Sequence, residues 1–117
     1  MKNKARTMTK YEKFIERLER ELPHVSPDQL NNWISIGNVL LVDVREQGEF
    51  EMSRIPGSIN LPREKLEAEI ESFLSSSAQS IVVYCGSRGR SHLVGLTLKE
   101  VGLDVYVLSG GLKNWPG

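Results

Sequence analysis

The chain is poor in the residues that build metal and disulfide frameworks: among 117 residues it has one cysteine and two histidines, His24 and His92. A single cysteine excludes an intramolecular disulfide, and so few thiolate and imidazole ligands leave little to hold a metal, so no structural metal is expected. Long apolar runs are missing too, and none approaches the roughly 20 residues that a helical membrane span requires. Net charge is also absent, 15 Lys and Arg balancing 15 Asp and Glu, which argues against binding nucleic acid by bulk electrostatics. The expectation is one soluble domain with no nucleic-acid or membrane partner, since a chain this short holds a single core. Its start, Met1-Lys2-Asn3-Lys4-Ala5-Arg6, is basic but lacks the apolar segment of a secretory signal. A cytoplasmic, reducing setting is therefore expected, with a transit peptide as the open alternative.

What is present is unevenly placed. Lys2, Lys4, Arg6, Lys10, Lys13, Arg17 and Arg20 interleave with Glu12, Glu16, Glu19 and Glu21, as on a solvated helical face. Tyr11, Phe14, Ile15, Leu18 and Leu22 recur at spacings of three and four, so Thr9–Leu22 reads as an amphipathic helix. We take residues 1–22 as an N-terminal helical extension and residues 23–117 as the single domain. Ser26-Pro27-Asp28-Gln29 supplies an N-cap, a proline at the first helical position and a capping-box glutamine; Leu30, Trp33 and Ile34 face inward, and Gly37 ends the helix. Val39–Val44, apolar except for Asp43, has the pattern of a strand buried on both faces of a parallel sheet. Ile55-Pro56-Gly57-Ser58 is a turn before a short strand at Ile59–Leu61. Pro62 opens a helix with Leu66, Ile70, Phe73 and Leu74 on one face, and Ser75-Ser76-Ser77 forms the loop before the strand Ser80–Tyr84. A helix from about Arg90 to Val101 and a strand at Val105–Leu108, ended by Gly110-Gly111, complete an α/β pattern. It implies an open parallel β-sheet flanked by helices on both faces, with Trp33 and Trp115 as packing residues.

Cys85 follows directly on one strand and precedes a helix, the place where open α/β sheets gather ligands. Gly86 and Gly89 tolerate unusual backbone angles, so the N–H groups of Gly86-Ser87-Arg88-Gly89-Arg90-Ser91 are free to turn inward as an anion-binding nest. The helix N-terminus adds unpaired N–H groups and a positive dipole end, while Arg88 and Arg90 add full charges. No acidic residue lies between Ser72 and Lys99 to offset them. All these terms favour a thiolate over a thiol. The plainer alternative is a small buried residue at a strand end, with glycines that only make a tight turn; the two arginines and the missing acids weigh against it. From the residues alone, the loop is a reactive thiolate in an anion pocket, which suits sulfur transfer, thiol phosphatase or arsenate reductase chemistry, and redox sensing alike. His92, in the first turn of the following helix, is a candidate base, although a preformed thiolate needs none. Ser91 reads as a cap of that helix through its hydroxyl. Arg54 and Arg63 are candidates for the rim, solvated surface positions being the commoner case.

Several segments carry a resemblance. Leu41-Val42-Asp43-Val44-Arg45-Glu46, Glu49-Phe50, Arg54-Ile55-Pro56-Gly57-Ser58-Ile59-Asn60-Leu61-Pro62, the cysteine loop, and Val105-Tyr106-Val107-Leu108-Ser109-Gly110-Gly111-Leu112-Lys113-Asn114-Trp115 are similar, in order and spacing, to the rhodanese (thiosulfate sulfurtransferase) domain family. The resemblance implies that Cys85 takes a sulfane sulfur from a small anionic donor such as thiosulfate, becomes a persulfide, and passes the sulfur to cyanide or a thiol, including a protein acceptor. It implies Gly86 to Ser91 as the cradle, Arg90 as the loop's closing residue, Asp43 and Arg45 as mainly a structural ion pair, and no metal or organic cofactor. Related thiol phosphatases use C-x5-R, whereas four residues separate Cys85 from Arg90 here. The loop departs from the family's C-x-x-G-x-R-S: Arg88 stands fourth, Gly89 fifth, and Gly86 second, where a basic residue is often associated with donor recognition. The loop's charge thus moves to Arg88, which bears on donor choice. Ser53-Arg54 replaces the common Gly-His, and because the sequence stops at Gly117 the tail of many relatives is expected to be short or absent. The alternative function is a non-catalytic binding or regulatory module, with the N-terminal amphipathic helix as its interaction face.

Overall fold

Five parallel strands form one sheet: β1 (His24–Val25), β2 (Val39–Asp43), β3 (Ile59–Asn60), β4 (Ser80–Tyr84) and β5 (Val105–Leu108), in the spatial order β1-β5-β4-β2-β3. The computed structural model describes residues 7–76 and 79–116; the basic start Met1–Arg6, Ser77 of the serine loop and Gly117 lie outside them. Among the described residues no helix is long and apolar enough to cross a membrane. The central strand β4 is buried on both faces because both of its side-chain sets are apolar. Ile81, Val83 and Cys85 point into one cluster with Leu66, Ile70, Val94 and Leu98, while Val82 and Tyr84 point into a second with Val25, Leu30 and Leu108.

Helices cover both faces, as the alternating pattern predicts. α1 (Lys10–Glu21), α4 (Arg63–Glu69) and α5 (Arg90–Val101) cover the first cluster, and α2 (Pro27–Ile36) covers the second. The side chains of Thr9 and Ser26 cap α1 and α2 in reciprocal capping boxes with Glu12 and Gln29. α1 places Ile15, Leu18 and Leu22 in the same cluster as Val94 and Leu98 of α5, so its apolar stripe is core. Trp33 packs edge-on against Tyr106, and Trp115 lies against the same second cluster.

Several elements depart from the expectation, among them the two-residue edge strand β1, where the sequence pattern predicts only the joint between two helices. The helix after Pro62 tightens to a 3-10 turn at Ile70–Phe73, which rotates Phe73 out of the apolar face and leaves it 46% exposed. A short helix, α3 (Gln47–Met52), stands where no helix is predicted; its six residues are mostly polar and bury none of their number.

Candidate active site

Adjacent strands β2 and β4 send the chain in opposite directions, β2 through α3 to β3 and β4 through α5 to β5. The crevice between their carboxyl ends is a topological switch point, and the loops that meet there are Val44–Glu46 with α3 and the segment from Cys85 to Gly89.

Cys85 is 1% exposed, and its Sγ lies 3.2 Å from Ser91 Oγ. Ser91 occupies the first turn of α5, and its hydroxyl partners the sulfur instead of capping the helix as the sequence suggested. The Gly110-Gly111 turn fixes the near end of the loop: Leu112 N–H donates to Cys85 O and Lys113 N–H to Gly86 O, both at 2.9 Å. Gly111 is required there, because its φ is +64° and a Cβ would sit 2.7 Å from Cys85 O. Of the two loop glycines only Gly89 uses a positive φ, +105°, so the tolerance expected of both is drawn on at one. Among the described residues no acceptor takes the N–H groups of Gly86, Ser87, Arg88, Arg90 and Ser91. These donors, with the start of α5, are the groups available there to hold an anion.

The acid-free stretch is acid-free only along the chain. Arg90 donates to both carboxylate oxygens of Glu49 on α3, at 2.8 and 3.2 Å, and Arg88 Nη1 donates to Glu19 Oε1 on α1 at 2.8 Å. The two loop arginines are therefore paired, which corrects the expectation of uncompensated positive charge around the cysteine. The Arg90 hydrogen bond, joined by the Glu46 N–H, holds the Glu49 carboxyl down at about 2, and the same pairing raises Arg90. Neither acid was a candidate site residue from sequence. Glu49 belongs to the quoted Glu49-Phe50 pair, the one signal that marked it, whereas Glu19 is one of several glutamates on a helical face and carries no such signal.

His92 is buried and holds the loop instead of facing the sulfur. Gly89 N–H donates to His92 Nδ1 at 3.3 Å, His92 Nε2 meets His24 Nε2 at 3.1 Å, and His24 Nδ1 lies 2.8 Å from Leu22 O. Every one of these contacts has a donor and an acceptor when both rings are neutral, with His92 protonated on Nε2 and His24 on Nδ1. Burial foremost, then the nearby His24 and Arg88, lowers the His92 pKa, with Glu19 acting in the opposite sense. The pair takes up the Gly89 N–H, which removes that group from the cradle.

The remaining predicted residues lie apart from the sulfur. Buried Asp43 accepts from the Arg45 backbone N–H, from Nε and, at 2.8 Å, from Nη2, while Arg45 also donates to Ser53 O; the pair ties the end of β2 to the turn after α3. Arg54 folds over the Phe50 ring, 4.7 Å from its centroid, and lines a groove of about 630 Å³ with Ser58, Asn60 and Lys65, none of them a loop residue. Arg63 is exposed at the start of α4. Ser87 and Arg88 line a different cavity of about 450 Å³ beside the loop, with Glu19, Gly110, Lys113 and Asn114.

A model of the Rhodanese-like domain matches residues 26–117. The chain belongs to the rhodanese-like domain family. Among curated relatives it is 28% identical over 91 residues to the adenylyltransferase and sulfurtransferase UBA4 of Yarrowia lipolytica, an alignment covering 78% of this chain and 23% of that protein. It is 32% identical over 122 residues to the dual specificity phosphatase ibp1 of Schizosaccharomyces pombe, covering 80% of this chain and 88% of that one. The crystal structure of a rhodanese-like domain protein from Staphylococcus aureus superposes with a TM-score of 0.72 at 26% identity, covering 81% and 92% of the two chains. Some relatives are longer: the chain spans 60% of the length of one and 23% of UBA4. This rhodanese-like domain thus has relatives named for sulfur transfer and relatives named for phosphatase activity, and α1 lies outside the matched residues.

Proposed function

We infer that the chain is a sulfurtransferase working by double displacement at Cys85, with thiosulfate or a related small anion as donor. The Cys85 thiolate attacks the outer sulfur of thiosulfate, the S–S bond of the donor breaks, and sulfite leaves with the bonding electron pair. The Cys85 persulfide remains. A thiolate acceptor, free or on a protein, then attacks the terminal sulfur, and cyanide reacts at the same atom to give thiocyanate; either step returns Cys85 as a thiolate. The Gly86–Arg88, Arg90 and Ser91 N–H groups stabilise the terminal anionic sulfur by fixed dipoles, and the Ser91 hydroxyl donates to the cysteine sulfur. Arg90, already bidentate to Glu49, closes the loop and holds its shape rather than meeting the donor.

The observation that carries this reading is a lone buried cysteine at the start of a loop whose Gly86, Ser87, Arg88, Arg90 and Ser91 N–H groups have no acceptor among the described residues, with four residues between cysteine and arginine. Incubation with thiosulfate followed by intact-mass measurement is expected to add one sulfur to the wild-type chain, removable by reductant, and none to Cys85→Ser. No gain on the wild type, or an equal gain on the variant, would sink it, and the first result would favour the non-catalytic module. The likeness to ibp1 makes phosphate-ester hydrolysis the second reading; the short loop disfavours a tetrahedral phosphate, and turnover of an aryl phosphate that depends on Cys85 would favour it.

A further inference from the structure

The two loop arginines are neutralised in different ways. Arg90 uses two nitrogens on one carboxylate, which is itself held by the Glu46 N–H, so that pair is fixed. Arg88 uses a single nitrogen on Glu19; the two pairs are similarly exposed, 47% and 36% here against 39% and 43% for Arg90 and Glu49, so the single contact is what makes the Arg88 pair the more easily opened. Glu19 lies on α1, beyond the residues that match the family, next to Leu18, which is buried in the core. The carboxylate is therefore delivered to the loop by a helix whose position is set by packing. The cavity beside the loop, lined by its Ser87 and Arg88, presents two cations, Arg88 and Lys113, and Glu19 is the one carboxylate that lines it.

We propose that Glu19 sets the charge selectivity of Cys85, by occupying Arg88 and so limiting the attraction of the loop for anionic reactants. An anion drawn to the loop by Arg88 must take that side chain from Glu19, whereas an uncharged reactant meets no such competition. The departure of this loop, arginine at its fourth position, is thus coupled to the N-terminal helix, and the two act as one device. The proposal rests on Cys85 as the reacting atom of the site described above; it does not depend on which sulfur compound is the donor.

The test uses alkylation of Cys85, the only cysteine, by iodoacetate and by neutral iodoacetamide, and reads the ratio of the two rate constants in the full chain. Glu19→Gln is expected to raise the anion-to-neutral ratio about two- to fivefold, the size of an exposed ion pair. Arg88→Gln should lower the ratio, and Glu19→Gln added to Arg88→Gln should change it little. An unchanged ratio in Glu19→Gln, or an equal rise with and without Arg88, would overturn the proposal. So would complete resistance of Cys85 to both reagents, since a loop closed to small molecules has no mouth for Glu19 to control. The two side chains are surface-exposed, so neither substitution opens the core. The ratio is read without any sulfur donor, so its outcome is separate from that of the thiosulfate experiment.

Discussion

Tyr84, the last residue of β4, is fully buried, and its hydroxyl closes a ring of three hydrogen bonds with the turn after α3. Ile55 N–H donates to Tyr84 Oη at 3.1 Å, Ser58 Oγ donates to Ile55 O at 2.7 Å, and the Tyr84 hydroxyl is left to donate to Ser58 Oγ at 3.0 Å. Burial raises the Tyr84 pKa to about 12, so the phenol stays a donor throughout the ordinary pH range. Tyr84→Phe keeps the packing and leaves the Ile55 N–H without an acceptor, at an expected cost of about 1–3 kcal/mol in denaturant unfolding. The glycines around the sulfur divide on similar grounds. At Gly111 a Cβ would meet Cys85 O at 2.7 Å and Gly86 O at 2.8 Å from a φ of +64°, whereas at Gly86 nothing lies within 4 Å. Gly111→Ala is therefore expected to lose about 2–4 kcal/mol and Gly86→Ala to stay within about 0.5 kcal/mol, by the same measurement. From sequence both looked like loop glycines, because a close approach between residues 111 and 85 becomes visible only when β5 lies beside β4.

At the level of elements, α3 matters through one residue. Glu49 holds its carboxyl at about 2 in the fold because Arg90 donates to it, so the folded state resists protonation that the unfolded chain accepts near 4.5. A depressed carboxyl contributes stability above the unfolded value, and that contribution fades as the pH falls from there toward the folded value. Thermal unfolding of the wild type should therefore weaken more steeply than that of Glu49→Gln between about pH 5 and pH 2. Parallel slopes would mean the ion pair does not couple α3 to the cysteine loop. α3 escaped prediction because its six residues offer no apolar stripe and their helix is held by Glu46, Glu49 and the turn that follows. By contrast Ser80–Tyr84 and Arg90–Val101 were legible to the residue: a β-branched run ends at Cys85, and a glycine ends each side of the helix. The loop's position was likewise readable from local pattern, whereas the capture of its Gly89 N–H by His92 was not. The partners of Arg88 and Arg90 were not, since they arrive from 69 and 41 residues away.

For the whole molecule, the question is whether α1 is an appendage or part of the fold. The family match begins at residue 26, and an amphipathic helix ahead of it has the look of an attachment. Yet Ile15, Leu18 and Leu22 are at most 5% exposed and share one cluster with Cys85, Val94 and Leu98. Burial of three such side chains contributes roughly 1.5–3 kcal/mol each, while a domain of this size is stable by only about 5–15 kcal/mol in total. The same helix brings Glu19 to Arg88, and its end at Leu22 accepts from His24, whose ring supports His92 and through it the Gly89 N–H. Packing and the loop's hydrogen bonds thus depend on one element. A chain beginning at Pro23 is expected to show no cooperative thermal transition, and Leu18→Ala in the full chain to lose about 2–5 kcal/mol. A truncated chain that unfolds cooperatively near the wild-type midpoint would show that the residues from Pro23 onward suffice for the core, and would leave to α1 only its contacts with the loop.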